Sequence, residues 1–203
     1  MKIIIIIDKL FCFIIGNTIG RLFYSNKYIR GRHFKSIRSE GWKWITRGIW
    51  SQKICGYNRA IKFPVNMRTV VLSNNIDFDP DDLNNFQHFG CYYQNFSTHI
   101  KLGKGTYIAP NVGIITANHD FENLDQHSKG EPVIIGKKCW IGMNVMILPG
   151  VILGDHTIVG AGSIVTKSFP EGDCVIAGNP AKIIKKIYNN NDIIEKEKLK
   201  NES

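Results

Sequence analysis

The sequence lacks the paired cysteines on which a disulfide framework or a zinc ribbon depends. Its cysteines are odd in number, and no two of them form a CxxC pair. We therefore expect a reducing compartment and mostly buried thiols. The five residues are Cys12, Cys55, Cys91, Cys139 and Cys174.

The sequence also lacks an apolar run long enough to cross a bilayer. Asp8 and Lys9 interrupt the apolar N-terminal stretch, and neither part approaches the roughly 20 residues that a spanning helix needs. No small-residue cleavage site follows, so a signal peptide fits poorly. Three interpretations stay open: a helix packed on the body or on a partner chain, an interfacial membrane helix, and a short anchor.

Acidic side chains are scarce from Arg21 to Arg68, where twelve Lys or Arg residues stand against one acid, Glu40. The whole chain has a net charge of +9. A basic band of this kind suits nucleic acid, an anionic membrane, a phosphorylated substrate or plain solvent. Tryptophans among the cations could stack on bases, but no recognised nucleic-acid motif accompanies them. Nucleic-acid binding is therefore disfavoured.

An aliphatic residue returns every six positions in the second half, and a small residue usually follows it. A period of six fits neither an α-helix nor an alternating strand, but it fits short strands stacked into a parallel β-helix. The aliphatic residue should point inward, and the small residue should permit a tight turn through positive φ. The aromatic Phe96 opens the series, and the aliphatic positions that follow are Leu102, Ile108, Ile114, Ile135, Ile141, Ile147, Leu153, Val159 and Val165.

The repeat keeps its phase across one long step, from Ile114 to Ile135. This spacing predicts a loop inserted at about 116–134 within a β-helix domain covering 61–179. Residues 1–60 are predicted to be basic and partly helical. Residues 180–203 are predicted to form a C-terminal helix and a polar tail. The fold class is thus mainly β, with the two flanks covering the ends of the β-helix.

Three segments resemble the hexapeptide-repeat acetyltransferases: GTYIAPNVGIITANHD, PVIIGKKCWIGMNVMILPGVILGDHTIVGAGSIVTK and IAGNPAKIIKKI. This left-handed β-helix family includes capsule and O-antigen polysaccharide O-acetyltransferases and the galactoside and maltose acetyltransferases. The N-terminal stretches KFPVNMRT and GCYYQNF look most like the polysaccharide-modifying branch. The resemblance implies left-handed coils, a homotrimer with sites between subunits, acetyl-CoA as donor and no required metal.

The resemblance makes His119, in TANHD, the catalytic base. An imidazole with a pKa near neutrality can take a proton from an attacking alcohol and return it to the departing thiolate. A zinc-dependent β-helix enzyme would need three converging histidines, which the spacing does not suggest. The group that orients His119 stays open among Asp120, Glu131 and Gln94.

The other site residues are also carried over from the resemblance. Trp140 is expected beside the acceptor, with Gln94 and Asp120 as further substrate-binding residues. A backbone N–H of Gly142 or, preferably, Met143 is expected to stabilise the oxyanion. GAGS lacks the GK[ST] ending of a P-loop. The residues expected to bind acetyl-CoA are Ala161, Thr166, Lys167, Lys182 and Lys185.

The leading functional interpretation is O-acetylation of a sugar hydroxyl in a bacterial surface polysaccharide or its lipid-linked precursor. We expect a cytoplasmic protein, with peripheral contact to the anionic inner membrane through its basic N-terminal segment. One alternative is acetylation of a small soluble acceptor, such as a galactoside, serine, an amino sugar or an antibiotic. Another is a non-catalytic scaffold or membrane-binding module.

Overall fold

The computed structural model describes residues 2–187, and side chains from residue 4 onward. Short strands dominate this range, and the helices lie before residue 55 apart from one 3-10 segment, Pro80–Phe86. The helical elements before it are α1 (Lys2–Asn17), α2 (Gly20–Phe23), a 3-10 turn (Arg32–Phe34), α3 (Glu40–Gly48) and a π-helical segment (Ile49–Ile54). The strands are β1 (Val70–Val71), β2 (Ile76–Asp77), β3 (Tyr92–Gln94), β4 (Ile100–Leu102), β5 (Tyr107–Ile108), β6 (Gly113–Ile115), β7 (Val133–Ile135), β8 (Trp140–Ile141), β9 (Met146–Ile147), β10 (Ile152–Leu153), β11 (Ile158–Val159), β12 (Ile164–Val165), β13 (Cys174–Gly178) and β14 (Ala181–Lys186).

The strands form three sheets that the chain visits in turn, coil after coil. Sheet 1 has the order β1-β3-β6-β9-β12, sheet 2 the order β2-β4-β7-β10, and sheet 3 the order β5-β8-β11-β13-β14. Every pair is parallel except the last, β13 with β14. The parallel β-helix predicted from the six-residue period is therefore confirmed.

The repeating aliphatic residues form the core between the three sheets. From Leu102 onward each of them is at most 4% exposed. Phe96 was wrongly placed in this series, because its side chain is 40% exposed. Tyr93 fills the inward position of that coil instead, paired with Ile114 and fully buried.

The small residues of the repeat have a different role from the one expected. Within the repeat, the glycines at positive φ are Gly105, Gly150 and Gly162, which come three positions after the aliphatic residue rather than one. Non-glycine residues hold the same place in other coils. The glycine directly after the aliphatic residue instead meets the backbone of the next coil. A Cβ on Gly136 would lie 2.6 Å from the backbone nitrogen of Asp155. Close stacking of coils, not positive φ, thus requires glycine there.

The C-terminal end differs from the predicted helix. Residues 181–186 form β14, which pairs antiparallel with β13 and covers the edge of sheet 3. Pairing with a neighbouring strand overrides any local helical preference in this short basic segment. The rest of the predicted helix and the polar tail, residues 188–203, lies outside the described residues.

The N-terminal helices cover the first coil of the β-helix. Cys12 and Gly16 of α1 pack on Trp42 and Ile45 of α3. An aromatic cluster under this layer joins it to the main core through Tyr28, Phe63, Phe78, Phe86 and Tyr93. Among residues 2–187 no helix has both the length and the apolarity needed to cross a membrane.

Candidate active site

His119 lies on the loop that joins β6 to β7. The loop folds back on itself: Asp120 N–H donates to the Gln126 carbonyl at 2.9 Å, and Ser128 N–H donates to the Asn118 carbonyl at 2.9 Å. At its base, Glu131 N–H donates to the Thr116 carbonyl at 2.8 Å. The result is a hairpin that holds the His119 side chain at the surface of a rigid scaffold.

The backbone carbonyl of Leu124 orients the His119 ring. Its oxygen lies 2.7 Å from His119 Nδ1. Because a carbonyl oxygen only accepts, Nδ1 carries the hydrogen, and Nε2 of the neutral imidazole keeps a free lone pair. The His127 ring packs beside it, with 4.5 Å between the ring centroids. His119 is therefore held in the tautomer that a general base needs at Nε2.

The three side chains considered for this orienting role are engaged elsewhere. Asp120 Oδ1 accepts the backbone N–H groups of Glu122 and Asn123, and Gln94 Oε1 accepts those of Thr116 and Ala117. The Glu131 carboxylate lies against Gly150 of the next coil. Asp120 and Gln94 thus bind backbone N–H groups within the His119 loop and at its start. The expectation that one of the three side chains would orient His119 was therefore wrong.

The corner between sheets 1 and 2 gathers one group of predicted residues. Gln94 ends β3 there, and the His119 loop follows β6 at the same corner. The ring of His127 meets that of Phe96 at this corner, 5.1 Å away. Thr166 and Lys167, both exposed, follow β12 at this corner of a later coil.

Trp140 lies on the outer face of sheet 3, away from that corner. Its side chain is 56% exposed and stands in register between Tyr107 and Ile158. An open groove of about 440 Å³ runs beside it. Aromatic walls of this type suit the apolar faces of a sugar ring. The groove is lined by His88, Tyr107, Ile108, Ala109, Pro110 and Trp140.

The corner between sheets 3 and 1 presents backbone donors. Gly142 N–H donates to the Val159 carbonyl at 2.9 Å and belongs to the strand ladder. In the described part of the chain, neither Met143 N–H nor Ala161 N–H has an acceptor. A Cβ on Gly142 would lie 2.7 Å from Ala161 N, so the two coils are in close contact here. Of these two groups only the Met143 N–H is unpaired in the described part of the chain, because the strand ladder holds the Gly142 N–H.

Lys182 and Lys185 of β14 share the outer face of sheet 3. A β-bulge shifts the register so that Lys185 stands opposite Val175 and Lys182 opposite Ala177. Val175 and Ala177 are two residues apart, so their partners point to one side in spite of their odd spacing. Both lysines are exposed, and they form a positive site on the same face as Trp140.

One chain therefore carries the predicted site on two different corners. The His119 loop, Gln94, Asp120, Thr166 and Lys167 belong to the corner between sheets 1 and 2. The second group, around the corner between sheets 3 and 1 and on the outer face of sheet 3, comprises Trp140, Met143, Ala161, Lys182 and Lys185. Within residues 2–187, no three or more His, Cys, Asp or Glu side chains converge as metal ligands.

Sequence reasoning missed the two closest neighbours of His119. The Leu124 carbonyl is a backbone group, so residue type carries no signal for it. His127 lies in the same loop and forms an isolated antiparallel bridge with His119. A prediction that the loop forms a hairpin, with His119 on one arm and His127 on the other, would have placed the two rings side by side.

Known proteins share this scaffold. Residues 132–167 match the family model for the bacterial transferase hexapeptide (six repeats). Galactoside O-acetyltransferase of Escherichia coli is 39% identical over 106 residues, covering 47% of this chain and 51% of that one. WbbJ of Escherichia coli, whose name provisionally assigns it to lipopolysaccharide biosynthesis as an O-acetyl transferase, is 40% identical over 109 residues, covering 48% and 55%. The resemblance to hexapeptide-repeat acetyltransferases is thereby confirmed.

The similarity has a limited span. The chain spans about half the length of the curated relatives that it matches. A solved galactoside acetyltransferase in complex with coenzyme A is 35% identical, covers 52% of each chain and has a TM-score of 0.46. The family-model match begins at residue 132, so the His119 loop and the N-terminal helices lie outside it.

Proposed function

We propose that this protein is an acetyl-CoA-dependent O-acetyltransferase acting on a sugar hydroxyl, with His119 as the general base. The observation that carries the proposal is the bond from His119 Nδ1–H to the Leu124 carbonyl, 2.7 Å long. It leaves Nε2 as a proton acceptor on an exposed loop of a hexapeptide scaffold. The relatives' names, galactoside O-acetyltransferase and a lipopolysaccharide O-acetyl transferase, agree with this chemistry.

The reaction follows from these groups. His119 Nε2 takes the proton of the sugar hydroxyl while its oxygen attacks the thioester carbonyl. The developing oxyanion accepts a hydrogen bond from Met143 N–H. When the intermediate collapses, the carbon–sulfur bond breaks, and the imidazolium returns its proton to the thiolate. The products are a sugar O-acetyl ester and free coenzyme A, so the transfer balances without an oxidant or a reductant.

The donor would lie along the small residues and lysines already described. Ala161 has an unpaired N–H and a small side chain, which suits the amide-rich pantetheine arm. Thr166 and Lys167 offer a hydroxyl and a cation further along. Lys182 and Lys185 offer two point charges to the phosphates of the nucleotide end.

A homotrimer with sites between subunits would join the two corners. In one chain His119 and Met143 stand at opposite ends of the sheet 1 strands. A neighbouring copy could bring its corner between sheets 3 and 1 against the His119 loop. The two-corner arrangement is what favours a site shared between chains.

The acceptor we infer is a bacterial surface polysaccharide or its lipid-linked precursor. The aromatic groove beside Trp140 suits a sugar. The basic N-terminal segment suits a phosphorylated lipid carrier at the cytoplasmic face of the inner membrane. A small soluble acceptor and a non-catalytic scaffold are the alternatives that experiments must separate.

A thiol-release assay with acetyl-CoA tests the catalytic role. The His119→Ala variant should lose about a hundred- to ten-thousandfold in turnover, because it removes the proposed proton acceptor. His99→Ala is the matched control, since His99 is exposed and outside the loop, and it should keep wild-type turnover. Equal turnover in wild type and His119→Ala would contradict the assignment and favour the scaffold.

A comparison of acceptors tests the substrate class. Wild type should release thiol faster with a surface oligosaccharide or its lipid-linked form than with free galactosides, serine or amino sugars. Mass spectrometry of the product should show one acetyl group added per modified hydroxyl. Equal or higher turnover on the small acceptors would sink the polysaccharide assignment while leaving the acetyl transfer intact.

A further inference from the structure

Helix α1 is apolar on two opposite faces, and only one of them is covered. Cys12 and Gly16 contact α3, as the packing of the N-terminal layer requires. The opposite face exposes four large side chains with the i, i+3, i+4, i+7 spacing of a single helical stripe. These are Ile7 (61% exposed), Leu10 (45%), Phe11 (55%) and Ile14 (50%).

The exposed apolar surface continues beyond this stripe. In α2, Leu22 is 82% exposed and Phe23 is 45% exposed. A groove of about 630 Å³ lies between α1 and the segment that contains Ile37 and Arg38, and it shares Leu10 with the stripe. It is lined by Ile5, Ile6, Lys9, Leu10, Ile37 and Arg38. An apolar patch with a polar rim marks a surface that binds a partner or a membrane.

Positive charge is concentrated in the segment that follows the apolar stripe along the chain, and Lys9 and Arg38 line the groove beside it. From Arg21 to Arg47 eight Lys or Arg residues stand against one acid, Glu40. Only Arg32 and Lys43 of the eight have an acidic partner within 4.0 Å among the described residues. The other six are Arg21, Lys27, Arg30, Lys35, Arg38 and Arg47, and all of them are exposed.

We propose that α1 and α2 lie in the plane of an anionic lipid bilayer and dock the protein on it. The stripe of Ile7, Leu10, Phe11 and Ile14 would enter the acyl region, and the cations would meet the lipid headgroups. The groove edged by Lys9 and Arg38 would take part of an acyl chain. Lying flat fits this geometry, because the stripe runs along the helix while the opposite face of α1 stays packed on α3.

Charge decides between a bilayer and a second copy as the occupant. Two copies meeting through this patch would bring two sets of unpaired cations together, and like charges oppose that contact. An anionic bilayer complements the same cations and accepts the apolar stripe at once. This docking surface would hold the enzyme beside a lipid-linked acceptor, a purpose that rests on the proposed function.

Co-sedimentation of the full chain with vesicles tests the surface. Wild type should bind phosphatidylglycerol–phosphatidylcholine vesicles at least tenfold more tightly than pure phosphatidylcholine vesicles, and high salt should weaken the binding. The Ile7→Gln/Phe11→Gln/Ile14→Gln variant should lose binding by tenfold or more, with an unchanged circular dichroism melting curve. Leu72→Gln/Ile152→Gln, which removes exposed apolar side chains from the β-helix, is the control that should bind like wild type.

A second variant changes residues outside α1, so its effect on binding does not depend on whether α1 still folds. Lys35→Gln/Arg38→Gln should weaken binding to the anionic vesicles by roughly fivefold per charge removed and leave residual binding to neutral vesicles unchanged. Equal binding to both vesicle types, or equal binding by the stripe variant and wild type, would overturn the proposal. Light scattering gives a further test of the proposal. It would be overturned if the wild type formed an assembly larger than a trimer, if the stripe variant reduced that assembly to a trimer, and if neither protein bound vesicles. Thiol release that fails while vesicle binding persists would sink the proposed function and leave the docking surface standing.

Discussion

Two histidines other than His119 stand where their charged forms are disfavoured. Burial lowers the pKa of His33, although the Asp81 carbonyl 2.9 Å from its Nε2 acts in the opposite direction. Burial also lowers the pKa of His88, beside Tyr107 and Trp140. The folded chain therefore binds fewer protons at these residues than the unfolded chain does.

These two residues predict a loss of stability at mildly acidic pH. Their contribution is complete above the unfolded pKa of about 6.5 and is lost as the pH falls through the lowered folded values. The melting temperature should drop between pH 7.5 and pH 5, as measured in a series of thermal unfolding scans. His33→Gln/His88→Gln should flatten that slope, and a slope identical to that of wild type would contradict the assignment. His99→Gln, an exposed histidine, is the control.

His119 shows which features of the site the residue types alone can predict. The motif around His119 singled it out among six histidines, and its loop position is what the insertion between repeats implies. The orienting partner could not be predicted, because the Leu124 carbonyl has no residue signature. Met143 was preferred over Gly142 by resemblance, and the strand ladder supplies the physical reason, since Gly142 N–H is already bonded to Val159.

At the scale of the elements, the glycine after each aliphatic residue is expected to be a packing requirement. Gly136 and Gly160 hold the same place in two coils, but their neighbours differ. A Cβ on Gly136 would lie 2.6 Å from backbone atoms of Gly154 and Asp155, whereas one on Gly160 would lie 3.0 Å from the Ala177 side chain. Backbone neighbours cannot move without shifting a whole coil.

Gly136→Ala should therefore destabilise the fold by roughly 1–3 kcal/mol, the usual cost of overpacking. Gly160→Ala should cost clearly less, because the Ala177 methyl group can shift by a few tenths of an ångström. Urea unfolding followed by circular dichroism measures both. Equal losses in the two variants would show that turn conformation, rather than the approach of the next coil, limits this position.

The elements differ in how well a pattern predicts them. The six-residue period is a strong signal because every coil repeats the same inward residue, and the strands from β4 to β12 follow it. The C-terminal strand β14 carries no such period, and only its pairing with β13 makes it a strand. Phe96 matched the count but not the fold, since the step from Tyr93 to Leu102, the positions that pair with Ile114 and Ile135, spans nine residues rather than six.

At the scale of the whole molecule, the separation of the site over two corners predicts complementation between inactive chains. His119→Ala removes the base, and Ala161→Trp fills the place expected for the pantetheine arm. Each variant alone should be inactive. When the two are co-expressed with different tags and purified through both, a cyclic trimer keeps one intact site, so about one third of wild-type thiol release should return.

The outcome separates two arrangements of the site. Recovery shows that His119 of one chain works with Ala161 of its neighbour. No recovery above the single variants would place both residues in one chain and contradict the shared site. A mixture of each variant with wild-type chains serves as the control for assembly through both tags.

The sequence alone determined the scaffold and the place of the loop, and its resemblance to the hexapeptide-repeat acetyltransferases made His119 the candidate base. A period of six residues and a histidine at its one interruption are local properties of the chain, and local patterns suffice to specify repeated coils. The tertiary structure decided what surrounds them: the carbonyl that orients His119, the corner on which Met143 stands and the face of α1 that stays uncovered. These depend on which segments meet across sheets and helices, and contact between distant segments is not encoded by spacing along the chain.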